Sequence, residues 1–377
     1  MAEPTYATAT RVASSVARHF ELHLRLARER GIANIADQPD SATIAQMIDA
    51  AFWASLRREE GVMPKISFAY VSASATEQPL MFASPLPLYP AGLAKIAPAV
   101  ERPGIHLGVS RHDGELRVWG TTRELPPLCF VIEVVASGLL VVKHRGEPFG
   151  KFVNVAVLEG DAIKIVDEAA ARIPDCPEAL QAFAGVTVPS GSQPVNVLVQ
   201  LAASMRAHGR GAALLVVPAR TTTWHESAVH PILYAVDPPF TGLTDLLRRA
   251  ATNREDPEWQ EDLRRSIDAL GGLTAVDGAV VITDRCELLA FGMKISRRRG
   301  STVVERVMVT EPFEGSSAET LTPAQLGGTR HLSAAQFVHD QPEAIAVVAS
   351  QDGRCTLFRW SAKEEIVHAH RIEALLL

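Results

Sequence analysis

The chain has 377 residues, 47% of them hydrophobic and 21% charged, which is enough for more than one folded core and typical of a soluble globular protein. With 43 acidic against 37 basic residues the formal net charge is −6, which argues against a dedicated coat for nucleic-acid polymers, since such binders carry a marked basic surface. Cys129, Cys176, Cys286 and Cys355 are widely spaced and form no metal-binding pattern. No apolar run reaches the length of a membrane span, and no signal-peptide core precedes the first helix. A reduced, cytoplasmic protein without a membrane partner is the expectation.

In chain order, SVARHFELHLRLARERG repeats apolar residues at helical spacing through Val16, Phe20, Leu24 and Leu26 and stops at Gly31. A second helix follows in SATIAQMIDAAFWASLRREEG, with Ser41 as candidate N-cap and Ile44, Met47, Ile48, Ala51, Phe52 and Leu56 on one face. After Gly61 the pattern turns to short β-branched strands: KISFAYVSA, GIHLGVS, ELRVWGTT, CFVIEVVAS, LLVVKHRG and KFVNVAVLEG. His112-Asp113-Gly114 marks one of the turns between them. These elements predict an α+β domain over residues 1–175. Four prolines and a Ser-Gly-Ser step then suggest a linker at 176–194.

From residue 195 to 377 helices alternate with apolar strands. NVLVQLAASMRAHGRG, FTGLTDLLRRAATN and DPEWQEDLRRSIDALGG read as helices, and ALLVVPA as a strand buried on both faces. DGAVVITD and CELLAFGMKI read as paired strands, RGSTVVERVMVTEP as another, AIAVVAS as the next, and CTLFRW as the last. The pattern predicts an α/β fold with a mixed sheet flanked by helices.

Two stretches carry possible chemistry. In GGTRHLSAAQFV, Gly327 and Gly328 allow positive φ and close approach of a ligand, and Thr329 can cap the helix that follows. Cations are unfavourable at a helix N-terminus, so Arg330 and His331 there either face a bound polyanion or lie on a solvated face. Asp277-Gly278-Ala279 opens an apolar strand and reads either as an exposed turn or as a carboxylate on a rigid edge, available to a metal or as a base. His225, Glu226 and His230 match no standard zinc spacing and read as a loop. His368 and His370 alternate along a possible strand.

Taken in order, DGAVVI, LLAFGMKI, GGTRHLSAA and AIAVVASQDGR resemble the diadenylate cyclase domain, over roughly residues 195–375. The N-terminal half is similar, more loosely, to a sensor domain found ahead of one branch of these cyclases. The resemblance implies a cyclic dinucleotide synthase that condenses two ATP into the second messenger cyclic di-AMP across a face-to-face homodimer or higher homo-oligomer. Asp277, Arg330 and His331 would be catalytic, with Asp277 holding a divalent metal, Mg or Mn. Gly278, Ala279, Met293, Ile295, Gly328, Thr329 and Ser350 would line the nucleotide. The sequence departs from that pattern at Leu332, where an arginine is usual, and at Gln351, where a glutamate is usual. The segment between the motifs is also longer, and its Arg297, Arg298 and Arg299 either reach a triphosphate or form a solvated tip. The departures leave a catalytically weakened nucleotide-binding sensor module as the alternative.

Overall fold

The computed structural model describes residues 5–102, 104–145, 152–166, 193–253 and 257–377. The chain divides into two compact units, Met1–Val166 and Asp167–Leu376. Cys176 and the expected linker at 176–194 lie outside the described residues, except that Gln193 and Pro194 begin a helix.

In the first unit α1 spans Ala7–Glu29 and α2 Ser41–Ser55. The first helix starts well before the expected stretch, because Ala9 and Val12 extend the buried stripe of Val16 and Phe20 towards the N-terminus. Asp40, not Ser41, caps α2: its carboxylate accepts from the Thr43 amide at 2.7 Å. The strands are β1 Ile66–Tyr70, β2 Leu80–Pro87, β3 His106–His112, β4 Glu115–Thr122, β5 Phe130–Ala136, β6 Leu139–Arg145, β7 Phe152–Glu159 and β8 Ala162–Ile165, with α3, Pro90–Ile96, between β2 and β3. They form one sheet in the order β2-β4-β3-β1-β5-β6-β7-β8, antiparallel throughout except for β1 on β3. One face, with Phe68, Leu107, Phe130, Ile132, Leu140 and Val142, packs beneath α1 and α2. The opposite face buries Ala69, Val71, Trp119, Cys129 and Val131.

The second unit contains α4 Gln193–Ala207, β9 Ala212–Val217, β10 Tyr234–Phe240, α5 Gly242–Asn253, α6 Pro257–Leu273, β11 Ala279–Thr283, β12 Leu288–Met293, β13 Val307–Thr310, β14 Glu319–Leu321, α7 Pro323–Leu326, α8 Thr329–Asp340, β15 Ile345–Ala349, β16 Cys355–Ser361 and β17 Ile366–Arg371. The sheet runs β10-β12-β11-β9-β15-β16-β17-β13-β14. It is mixed: β9 with β11 and β13 with β17 are parallel, and the other neighbours antiparallel. The last strand is β17 rather than CTLFRW. Ala213, Leu215, Ala346, Val348 and Phe358 face Ala334, Ala335, Phe337 and Val338 of α8. Leu214 and Val347, on the alternate positions of β9 and β15, are also buried. No helix among the described residues is long and apolar enough to cross a membrane.

Cys129, Cys286 and Cys355 are free and buried, and burial pushes their thiols well above the ordinary range. Cys286 sits in the turn before β12 at φ 65°, not within a strand.

Candidate functional site

The register of the second sheet fixes what meets at one of its ends. Parallel β9 and β11 pair Leu214 with Val280, so their first residues lie side by side. Antiparallel β15 pairs Ala349 with Ala212, and antiparallel β12 pairs Met293 with Ala279. Gly211, Asp277, Gly278, Lys294 and Ser350 therefore cluster on one rim. Arg330, in the first turn of α8, reaches the same rim: its Nη2 is 4.0 Å from Asp277 Oδ1. A Cβ on Gly211 would lie only 2.9 Å from Arg330 Nη1.

Asp277 is 84% exposed and its Oδ2 lies 2.5 Å from Lys294 Nζ. The hydrogen bond and charge of Lys294, with Arg330 adding less, hold its carboxyl below the ordinary carboxylate range. Lys294 was not anticipated as a site residue. Its signal was present in the sequence as the charged residue ending an apolar strand that pairs with the Asp277 strand.

Gly278 is at φ 128°, and a Cβ there would sit 2.4 Å from the carbonyl carbon of Gly292. Gly292 is itself at φ 61°, against the ring of Tyr234, which stacks on Phe291 with centroids 4.7 Å apart. Two glycines back to back thus let β11 and β12 cross closely beside the carboxylate. Ala279 and Met293 are both buried and paired across these strands, so both side chains are core. Ile295 is half-buried and bridges to Ala228.

The GGTRHL stretch differs from its expected arrangement. Gly327 and Gly328 have φ of 177° and −73°, so neither uses the left-handed region. Gly328 is the N-cap and Thr329 the first, exposed helical residue, and no side chain caps α8. His331 does not share the surface with Arg330. It is 2% exposed, with Nε2 3.4 Å from Thr356 Oγ1 and its ring edge-on to Phe358. A Cβ on Gly327 would fall 2.4 Å from His331 Nδ1, so this glycine makes room for the imidazole rather than for a ligand. Burial pushes the ring below its ordinary range, and it is neutral at neutral pH. Leu332 is 45% exposed.

Ser350 opens a tight turn, its carbonyl accepting from Gly353 and its amide donating to Arg354. Gln351 Nε2 lies 3.5 Å from the Arg210 carbonyl, and Asp352 pairs with Arg354 at 3.3 Å. The three-arginine segment lies elsewhere. The Arg298 amide donates to Asp340 at the last residue of α8, about 15 Å along the helix from Arg330, and its guanidinium pairs with Glu226 at 2.6 Å. His225 stacks on Trp224, and His230 Nε2 is 2.9 Å from the His225 carbonyl. His368 contacts Glu364 at 2.9 Å, and His370 contacts Thr310 at 2.6 Å.

The rim is an exposed patch where a carboxylate, a lysine and an arginine surround side-chain-free backbone. It has the donors to hold phosphate groups and one carboxylate to hold a hard cation. No curated protein matches the chain. Residues 33–123, running from before α2 to just past β4 in the first unit, match the family model described as a probable sensor domain, DACNV.

Proposed function

We propose that the second unit binds ATP along this rim and condenses two ATP molecules into cyclic di-AMP, with the first unit as its regulatory sensor. The reading rests on one observation: Asp277, Gly278, Arg330 and Ser350, distant in sequence, meet at one end of a single sheet. The match of the first unit to a sensor family of the kind found ahead of some diadenylate cyclases supports it.

In this reaction each protomer holds one ATP, and two protomers face each other. The 3′-oxygen of each nucleotide bonds to the α-phosphorus of the other, the bond to the β-phosphate breaks, and pyrophosphate leaves. Arg330 donates to phosphate oxygens as charge builds on them. Gly278 and Gly292 let β11 and β12 approach closely, which sets Asp277 and Lys294 side by side on the rim. Asp277, ionised at neutral pH, is positioned to take the 3′-hydroxyl proton. It would also hold Mg²⁺ or Mn²⁺, since such ions accept one carboxylate with phosphate oxygens and water, provided Lys294 swings onto phosphate. When bound, the ion offsets phosphate charge. His331 acts from beneath, by fixing the first turn of α8 and so the direction of Arg330.

A second reading, nucleotide binding without turnover, is favoured by the Lys294–Asp277 pair and by uncharged Gln351. Turnover at saturating ATP and Mn²⁺, followed as the protein is diluted, separates the two. The proposed reaction requires activity per protomer to fall as copies separate, and ATP binding without product at any concentration supports the second reading.

A further inference from the structure

The first unit carries a cluster that the nucleotide chemistry does not use. His19 and His23 stand one turn apart on α1, in the sequence HFELH, and so share a face of the helix. That face is the buried one, since Val16, Phe20 and Ala27 lie along it. On β6 the core-facing row runs Leu140, Val142, His144, so an imidazole occupies the position where a third apolar residue would continue the row. The three rings converge there: centroids are 4.4 Å apart for His19 and His23, 5.1 Å for His23 and His144, and 5.8 Å for His19 and His144. One ring nitrogen from each lies within 4.8 Å of the other two. Phe20 packs against both Phe130 and His144, closing the apolar side of the cluster.

Neutral imidazole is the form that ligates metals. His144 Nδ1 is 3.2 Å from the Arg145 carbonyl oxygen, which can only accept, so this nitrogen carries the proton and Nε2 keeps its lone pair. The bound arrangement needs nitrogens about 2 Å from one ion, a modest inward rotation of rings held by rigid helix and strand. An all-nitrogen set suits borderline transition ions such as Zn²⁺ and Co²⁺, not the oxygen-seeking Mg²⁺ or Ca²⁺.

We propose that His19, His23 and His144 form a three-histidine site for a divalent transition metal in the first unit, with a fourth coordination position open to water or a small anion. The site lies outside residues 33–123, so the family match does not imply it. It makes a transition-metal ion the class of ligand that a sensor unit of this kind would register.

The test is titration of the tag-free full chain with Co²⁺ and Zn²⁺. The expected result is one equivalent of Co²⁺ bound with the intense visible absorption of four-coordinate cobalt, displaced by Zn²⁺. His19→Gln and His23→Gln, each half-buried and checked for folding by circular dichroism, should each weaken binding by more than the ~10–100-fold that loss of an outer-sphere partner costs. Absence of a saturable site, or a weak six-coordinate spectrum in the unaltered protein, would overturn the proposal without any variant. So would folded variants that bind as tightly as the unaltered chain.

Discussion

Lys294 Nζ lies 2.5 Å from Asp277 Oδ2, so the carboxylate just ahead of β11 is engaged by a cation just past the end of the facing strand β12. The pair is too exposed to matter much for stability, and its importance is for the charge available to a ligand. Removing the ammonium with Lys294→Met should let the Asp277 carboxyl rise towards its ordinary range. Carboxyl-carbon NMR titration checks this, and an unmoved midpoint would mean that Lys294 does not govern the group.

Arg330 is the cation on the rim with a planar, bidentate donor set. Arg330→Gln should weaken ATP binding by about 10–100-fold, the equivalent of one charged hydrogen-bond partnership. Calorimetric titration with ATP reads it directly. His331→Gln should act through position: it loosens the first turn of α8 and lowers the midpoint of unfolding as well as affinity, whereas Arg330→Gln leaves the midpoint in place.

Gly278 is required by space as well as by φ. Gly278→Ala sets a methyl group against the Gly292 carbonyl and should cost about 3 kcal/mol or more in urea unfolding. Gly300 is a control, with φ of 83° but nothing within 4 Å of a Cβ, and Gly300→Ala should cost only about 1 kcal/mol. Equal losses at the two positions would remove the argument from close approach.

Acid stability should fall in each unit through one buried histidine. Burial, with Lys143 and Arg145 adding and Glu133 opposing, pushes His106 down to about 4. Burial, with His368 and Arg359 adding, pushes His370 down to about 3. Both start from 6.5. Because the folded values are depressed, the unfolded chain binds more protons below pH 6.5, and stability declines as pH falls from there towards 4 and 3. At pH 5 the loss is on the order of 2 kcal/mol per histidine. Urea titrations at pH 7 and pH 5 measure it, and His370→Asn should flatten the decline in the second unit.

What the sequence disclosed follows burial. Elements with one apolar face, such as α1, α2 and β3 to β7, are legible because their periodicity reports the core. Edge strands β2 and β10 are mostly exposed along their length, and β10 carries Pro238 and Pro239, so neither shows alternation. At the rim, Asp277, Gly278 and Arg330 were readable because motif order carried them. The inward turn of His331 was not, since an imidazole suits a phosphate contact and a packed interior equally, and only the neighbouring Gly327 hints at the space it needs. Lys294 was within reach of the expected β11–β12 pairing, whereas the convergence of His144 on the His19 and His23 pair depends on a helix–strand packing between distant segments, which no local pattern encodes.

The central claim is that the second unit turns ATP into a cyclic dinucleotide with Asp277 as a working carboxylate. The most direct measurement is chromatography, with mass detection, of nucleotides formed from ATP and Mn²⁺ or Mg²⁺ by the full chain, beside Asp277→Asn. The account predicts cyclic di-AMP and pyrophosphate from the unaltered protein, and ATP bound but unconverted by the variant. Bound ATP with no cyclic product under either metal, or undiminished product from Asp277→Asn, would contradict it.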